Sequence, residues 1–254
     1  QSKKTLKMSS VCEVEKPMSV QLAGCEPDIM AEAAKLNEDR GAAIIDINMG
    51  CPVKKITNGD AGSALMRDES LAAKILTSVV NAVKIPVTLK IRMGWDETSL
   101  NAPVIARIAE DCGIQALAVH GRTRCQFFKG QANWNFIKKV VAAVKIPVFG
   151  NGDIKTVDDA QKMLSQSQTA GALIGRGTYG RPWFPNQVKV FLEKGERISE
   201  PSIQEQKNII LKHYDSILSH YGTELGVRIA RKHLGWYSKC FPDSAQFRAE
   251  INVL

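Results

Sequence analysis

Short apolar runs recur along this chain, each followed by a polar, glycine-bearing loop and then an amphipathic stretch. That rhythm constrains the fold more than any other feature. The runs are Ser19–Gly24, Ile44–Gly50, Val87–Arg92, Ala116–His120, Val148–Gly152 and Ala172–Gly175. Their spacing is that of βα units, and they show little strict alternation, as parallel strands buried on both faces do. The stretches between them carry helix signals. Ser70–Val83 sets Leu71, Ile75, Val79 and Val83 on one face after Asp68, a natural N-cap. Pro103–Cys112 repeats Val104, Ile105, Ile108 and Cys112 and stops at Gly113. Asn133–Val144 carries Trp134, Ile137, Val140, Val141 and Val144, and Thr156–Leu164 opens on Thr156 as a cap.

One segment is repeated. Val79-Val-Asn-Ala-Val-Lys-Ile-Pro-Val87 returns as Val140-Val-Ala-Ala-Val-Lys-Ile-Pro-Val148. In both, proline ends a helix and fixes the entry into a strand. After Gly180 the rhythm stops. Glu193–Pro201 reads as a linker, Ser202–Tyr221 as a long helix and Thr223–Tyr237 as a second. The fold class expected is α/β, a (β/α)8 barrel over residues 1–200 followed by a small all-helical domain over 201–254. Six strands fall short of the eight a barrel needs. With Gln rather than Met as first residue, the expectation is that two leading βα units are absent.

Composition narrows the function. With 44% hydrophobic and 24% charged residues the chain has ordinary globular make-up. The formal net charge is +8, and a cationic surface attracts polyanions over about 8–10 Å. Nucleic acid is the obvious partner, and a merely basic enzyme the bland alternative. The six cysteines, Cys12, Cys25, Cys51, Cys112, Cys125 and Cys240, form no CxxC pair. No metal site is expected from them, and their irregular spacing suits reduced thiols in a cytoplasmic protein. No run of residues is long and apolar enough for a membrane span.

Functional residues of parallel α/β domains gather at strand carboxyl ends. Here those ends present Gln21 and Gly24, Asn48-Met-Gly-Cys51-Pro52, Lys90-Ile-Arg92, His120-Gly-Arg-Thr-Arg124, Asn151-Gly-Asp153 and Gly175-Arg-Gly177. The last two clusters can bring backbone N–H groups to a phosphate, a reading preferred to plain strand-to-helix turns. Lys90 stands in an apolar strand and needs an anionic or carbonyl partner. A structural acid or a cofactor carrying delocalised negative charge would serve. Cys51 is either a nucleophile or proton donor, since a free thiol titrates at about 8.5, or a small buried hydrophobe. Cys25, Cys112, Cys125 and Cys240 are read as buried hydrophobes. The polar loop from Val53 to Met66 reads as a segment able to move.

These motifs, in this order, resemble the tRNA-dihydrouridine synthase family, its bacterial B-type most of all. They are Val20-Gln-Leu-Ala-Gly24, Asp46-Ile-Asn-Met-Gly-Cys-Pro52, Lys90-Ile-Arg92, Val119-His-Gly-Arg-Thr-Arg124, Gly150-Asn-Gly-Asp-Ile154, Ile174-Gly-Arg-Gly177 with Gly180-Arg-Pro-Trp183, and Arg228-Ile-Ala-Arg-Lys-His233. The resemblance runs from about Met18 to the C-terminus, with nothing before Val20 that matches the family's first two βα units. It implies an FMN-binding barrel that reduces the C5=C6 bond of chosen tRNA uridines, with NADPH recharging the flavin. Cys51 would be the proton donor to C5. Gln21, Lys90 and His120 would contact the flavin ring, and Asn151, Gly152, Asp153, Gly175 and Arg176 its phosphate. Asn48 would hydrogen-bond the flipped uracil.

The basic excess then acquires a use. Lys54, Lys55, Arg122, Arg124 and Lys129 are placed on the active-site rim, and Arg228, Arg231 and Lys232 on one helix, where they could track tRNA phosphates. A monomer is expected. Two other readings compete: an FMN-dependent enzyme of the dihydroorotate or dihydropyrimidine dehydrogenase type acting on free pyrimidines, and a non-catalytic RNA-binding fragment. The helical tail and the basic charge favour the polymeric substrate.

Overall fold

A computed structural model describes residues 16–253. Cys12 lies outside the described residues, as does the side chain of Cys240. Six strands form a single sheet: β1 Ser19–Leu22, β2 Ile44–Met49, β3 Val87–Arg92, β4 Ala116–His120, β5 Val148–Asn151 and β6 Gly171–Leu173. They pair in chain order, every pair parallel. Consecutive parallel strands linked by helices are the architecture of the TIM barrel. The connecting helices are α1 Pro27–Asp39, the short α2 Lys54–Thr57, α3 Glu69–Ala82, α4 Ala102–Asp111, α5 Trp134–Val141 and α6 Val157–Ser167. A 3-10 turn covers Gly62–Arg67.

The strands alternate, contrary to the expectation of burial on both faces. Ile45, Ile47 and Met49 of β2, Leu89 and Ile91 of β3, and Leu117 and Val119 of β4 are buried in one core. Ala34, Ile75, Leu76, Val79, Ile105, Ala109, Ile137 and Val140 of the helices join them there. Asp46, Asn48, Thr88, Lys90 and His120 hold the intervening positions. The sheet is therefore apolar toward the helices and polar on its other face, and period-two placement is what separates the two.

The repeated segment has a physical cause. Glu38, in the last turn of α1, accepts the backbone N–H groups of Lys84 and Ile85 at 2.7 and 3.1 Å. Glu110, in the last turn of α4, does the same for Lys145 and Ile146 at 2.7 and 3.0 Å. Each Lys-Ile-Pro entry thus has its two free backbone donors satisfied by a carboxylate one unit upstream in the chain. The caps behave as anticipated: Asp68 accepts from Leu71 N, and Thr156 from Asp159 N. The Val53–Met66 loop does not. It folds into α2 and the 3-10 turn, with Ser63, Leu65 and Met66 fully buried.

The chain divides into two compact units, one of residues 1–153 with 162–173 and one of residues 154–161 with 174–254. This differs from a division at residue 200. The second unit contains a 3-10 turn at Arg176–Thr178, then α7 Phe184–Lys194, α8 Ile203–Tyr221, α9 Thr223–Tyr237 and α10 Ser244–Val253. The segment after β6 joins these helices because Tyr179 stacks on Trp236, with ring centroids 3.8 Å apart. Gly180 also has positive φ there, and a Cβ would strike the Trp236 carbonyl. Ser202 and Glu205 form a capping box at the start of α8. Among the described residues, no helix is long and apolar enough to cross a membrane.

Candidate active site

The first unit gathers its chemistry on the polar face of the sheet. Register puts Gln21 beside Asp46, Asn48 beside Lys90, Arg92 beside His120, and His120 beside Asn151. Side chains link the strands in the same order. Asp46 accepts from Gln21 Nε2 at 2.6 Å and from the Thr88 hydroxyl at 2.6 Å. Asn48 Nδ2 donates to Gln21 Oε1 at 2.7 Å. Asn48 Oδ1 accepts the N–H groups of Gly50 at 3.1 Å and Cys51 at 2.8 Å. That Asx turn fixes the backbone of Cys51, whose carbonyl accepts from both Ser63 N and Ser63 Oγ. Cys51 itself stays partly exposed.

Lys90 is half-buried, and among the described residues its ammonium bonds to a neutral partner, Asn151 Oδ1, at 3.2 Å. Burial, and then Arg92, lower its pKa to about 8, with Asp46 acting the other way. Among the described residues no carboxylate contacts it, so a structural ion pair is not what satisfies this lysine. Asn151 in turn donates to Leu173 O at 2.7 Å.

His120 is buried to 6% exposure. Burial, Arg92, Lys90 and Arg122 together push its pKa down to about 3, against a raising contribution from Asp153. The ring is neutral at physiological pH. Arg122 Nη1 stands 3.3 Å from its Nε2. A guanidinium only donates, so Nε2 accepts and the ring proton is on Nδ1. His120 is a fixed hydrogen-bond donor through Nδ1, not a proton relay.

Arg122 is not a rim residue. It is 1% exposed, and its donors go to Lys129 O at 3.0 Å, Gly130 O at 2.7 Å and Asp153 Oδ2 at 2.6 Å. Its cost of burial is offset by those acceptors. Asp153 also accepts from Ala132 N at 2.7 Å, so its carboxylate works on Arg122 and the loop after β4. Gly152, at φ +124°, is required by space: a Cβ would lie 2.7 Å from Ala132 Cβ and 3.0 Å from the His120 ring.

Arg92, whose role the sequence motif alone does not reveal, proves central. It is 2% exposed, donating to Gly50 O at 2.7 Å, Thr123 O at 2.9 Å and Phe127 O at 2.9 Å. It ties the Cys51 loop to the loop after β4. Its pKa is lowered to about 10, mostly by burial, while Cys51 raises it. Two-residue spacing from Lys90 on an apolar strand was the signal for it. Asp46 and Thr88 carried the same signal.

Other assignments settle differently. Cys125 is exposed rather than buried, whereas Cys25 and Cys112 are partly buried, the latter accepting from Thr77 Oγ1 at 3.3 Å. Arg124 lies over the Trp95 ring, its Cζ 4.5 Å from the centroid. In the second unit, Gly175 precedes the 3-10 turn, and a Cβ there meets nothing within 4 Å. Arg228 pairs weakly with Glu224 at 3.5 Å. Lys232 lies over Trp236 at 4.8 Å. Arg231 is partly buried, with its Nε unpartnered among the described residues.

Residues 1–254 match the family model described as Dihydrouridine synthase (Dus). The match reaches residue 1, beyond the Met18 start expected from the motifs. A Rickettsia bellii protein named "Probable tRNA-dihydrouridine synthase" is 54% identical over 255 residues, covering 100% of this chain and 78% of its own. The tRNA-dihydrouridine synthase B of Xanthomonas axonopodis pv. citri is 54% identical, covering 93% and 71%. That of Pseudomonas aeruginosa is 50% identical, covering 94% and 72%. A solved mandelate racemase/muconate lactonizing enzyme-like protein from Roseovarius sp. TM1035 superposes with TM-score 0.51 at 16% identity, over 70% of this chain and 44% of that one. That likeness concerns the fold alone.

Proposed function

The chain belongs to the dihydrouridine synthase family, flavin-dependent enzymes that reduce uridine in tRNA to dihydrouridine, and from that premise we propose how its own residues serve the reaction. FMN is the proposed flavin and NADPH the proposed reductant. The residues present fit such a group. Lys90 is a half-buried ammonium lacking an anionic contact among the described residues, and Gly152 keeps the ground beside His120 free of side chain.

When bound, FMN supplies the hydride that reaches C6 of the uracil. Lys90 would hold its positive charge beside the ring, an interaction that its partial burial strengthens. Gln21 and His120 offer hydrogen bonds, His120 through its fixed Nδ1–H. Asn151, Gly152, Gly175 and Arg176 are assigned to the phosphate on the family motif. Asp153 acts through Arg122 rather than on phosphate, since carboxylate and phosphate repel.

Cys51 holds the proton for C5 on its thiol. Asn48 positions Cys51 and retains one Nδ2 hydrogen for a uracil carbonyl. Arg124, Arg228, Arg231 and Lys232 are proposed to meet tRNA phosphates, and Arg122 is reassigned from substrate contact to support of His120. Residues 1–200 would be catalytic and 201–254 would bind tRNA, in a cytoplasmic monomer.

One observation carries this reading: half-buried Lys90 and buried His120 share the polar sheet face at the strand ends from which the Cys51 turn leaves. Incubation with FMN, NADPH and an unmodified tRNA transcript, followed by mass analysis of nucleosides, tests it. The expected product is a uridine heavier by two hydrogens. NADPH oxidation driven by free pyrimidines and not by tRNA would contradict it in favour of a dehydrogenase. Binding of tRNA without reduction would leave an RNA-binding protein.

A further inference from the structure

Three loops meet beside the Cys51 turn, and their contacts leave cationic groups without anions. The loop after β3 presents Trp95, and two guanidinium groups lie over its ring, Arg67 Cζ at 4.7 Å and Arg124 Cζ at 4.5 Å. The loops are pinned to each other by backbone bonds from Arg124 N to Gly94 O at 3.0 Å and from Cys125 N to Trp95 O at 2.9 Å. Arg124 Nη2 reaches Thr57 Oγ1, at 3.4 Å, on the α2 turn that follows Cys51. Lys54 and Lys55 are exposed on that same turn.

Among the described residues neither Arg67 nor Arg124 has an ion pair. Arg124 Nε is buried with no hydrogen-bond partner among them, which is the costlier of the two conditions. Three acids close to Arg67 or Trp95 in sequence are engaged elsewhere. Asp68 caps α3, Glu69 accepts from Asn101, and Asp96 accepts from Thr98 N and Oγ1. Stacking holds a guanidinium by its face and leaves its N–H edge to bind. Forked N–H edges fixed by an aromatic plane match a phosphodiester, which offers paired acceptor oxygens.

We propose that Arg67, Trp95 and Arg124 form a clamp for an RNA backbone phosphate next to the uridine that is reduced, with Lys54 and Lys55 continuing the track. The proposal rests on the tRNA reading above and deepens it. Trp95 is a positioning residue: it orients the two arginines and meets no phosphate itself.

The test is tRNA affinity measured across a salt series for the parent, Arg67→Gln, Arg124→Gln and the double variant, with Arg107→Gln on the outer face of α4 as a control. Loss of each phosphate contact should lower the salt slope by roughly one unit and weaken low-salt binding about tenfold. Trp95→Leu should weaken binding while Trp95→Phe keeps most of it. A loop-anchoring role alone would change melting temperature and leave the slope intact. If Arg124→Gln misfolds by circular dichroism, the exposed Arg67→Gln carries the test by itself. A parental slope in folded Arg67→Gln overturns the clamp while the parent still binds and reduces tRNA. A parent that neither binds nor reduces tRNA overturns the function reading instead, and the clamp with it.

Discussion

Arg122 Nη1 lies 3.3 Å from His120 Nε2, and the pair dictates which ring nitrogen carries the proton. Arg122 is held by Asp153, Lys129 O and Gly130 O. A loop carboxylate therefore controls the donor that His120 presents on the polar face. Since Gly152 is packed edge-on to the same ring, the strand-end residues Gly152 and Asp153 both set the imidazole.

The first prediction concerns that tautomer. Nitrogen NMR of the folded protein should show His120 neutral with its proton on Nδ1, and no titration down to about pH 3. In the unfolded chain the ring titrates at about 6.5. Between these values the unfolded state holds the extra proton, so stability falls as pH drops from 6.5 toward 3. His120→Gln should flatten that part of the stability curve. Arg122→Ala should cost on the order of 3 kcal/mol, because it strands Asp153 and two carbonyls. An Nε2–H signal in the parent would contradict the geometry.

The second concerns Lys90. Its folded pKa of about 8 lies below the ordinary lysine value of 10.5. Without an anion bound, the folded state binds fewer protons than the unfolded one between pH 8 and 10.5. Stability should therefore rise with pH across that window. Lys90→Met should remove the rise, and saturating FMN should reduce it by restoring the charged form. Thermal melts across the pH range measure both effects.

The third concerns Gly152. Gly152→Ala forces a Cβ against Ala132 and the His120 ring at a φ of +124°. A loss of about 1–3 kcal/mol is expected, together with weaker flavin binding. Unchanged melting and flavin affinity would show that the loop gives way freely.

Much of this was legible from sequence because βα periodicity and strand ends are local signals. Val87–Arg92 and Ala116–His120 are strands with the expected bounds, and Asn48, Lys90, His120 and Asn151 do share one face. What sequence hid was partnership at a distance. Arg122 and Arg124 are two residues apart in one motif and look alike, yet Asp153 draws the first inside while Trp95 holds the second at the loops. The Val53–Met66 segment looks like a polar loop, but Ser63 bonds to Cys51 O and buries it. Alternation in β2 and β3 is masked because Asp46, Thr88 and Lys90 are single polar residues in apolar runs and form a row only once the strands pair in register.

The fourth prediction follows from the Asn48 turn. Asn48→Ala removes the acceptor for Gly50 and Cys51 N–H groups. A cost of about 1–3 kcal/mol is expected, with slower dihydrouridine formation because Cys51 loses its fixed backbone. Asn48→Asp keeps the acceptor and should recover stability better than activity.

Cys51 as the C5 proton donor is the central claim, and single-turnover oxidation of pre-reduced flavin by tRNA measures it most directly. Cys51→Ala should load FMN and accept electrons from NADPH, then reoxidise with tRNA about 10²–10⁴-fold more slowly than the parent. Cys112→Ala, which removes a thiol bonded to Thr77 on the helix side of the sheet, should reoxidise at the parental rate. Parental reoxidation by Cys51→Ala would contradict the account and reduce Cys51 to a small packing residue.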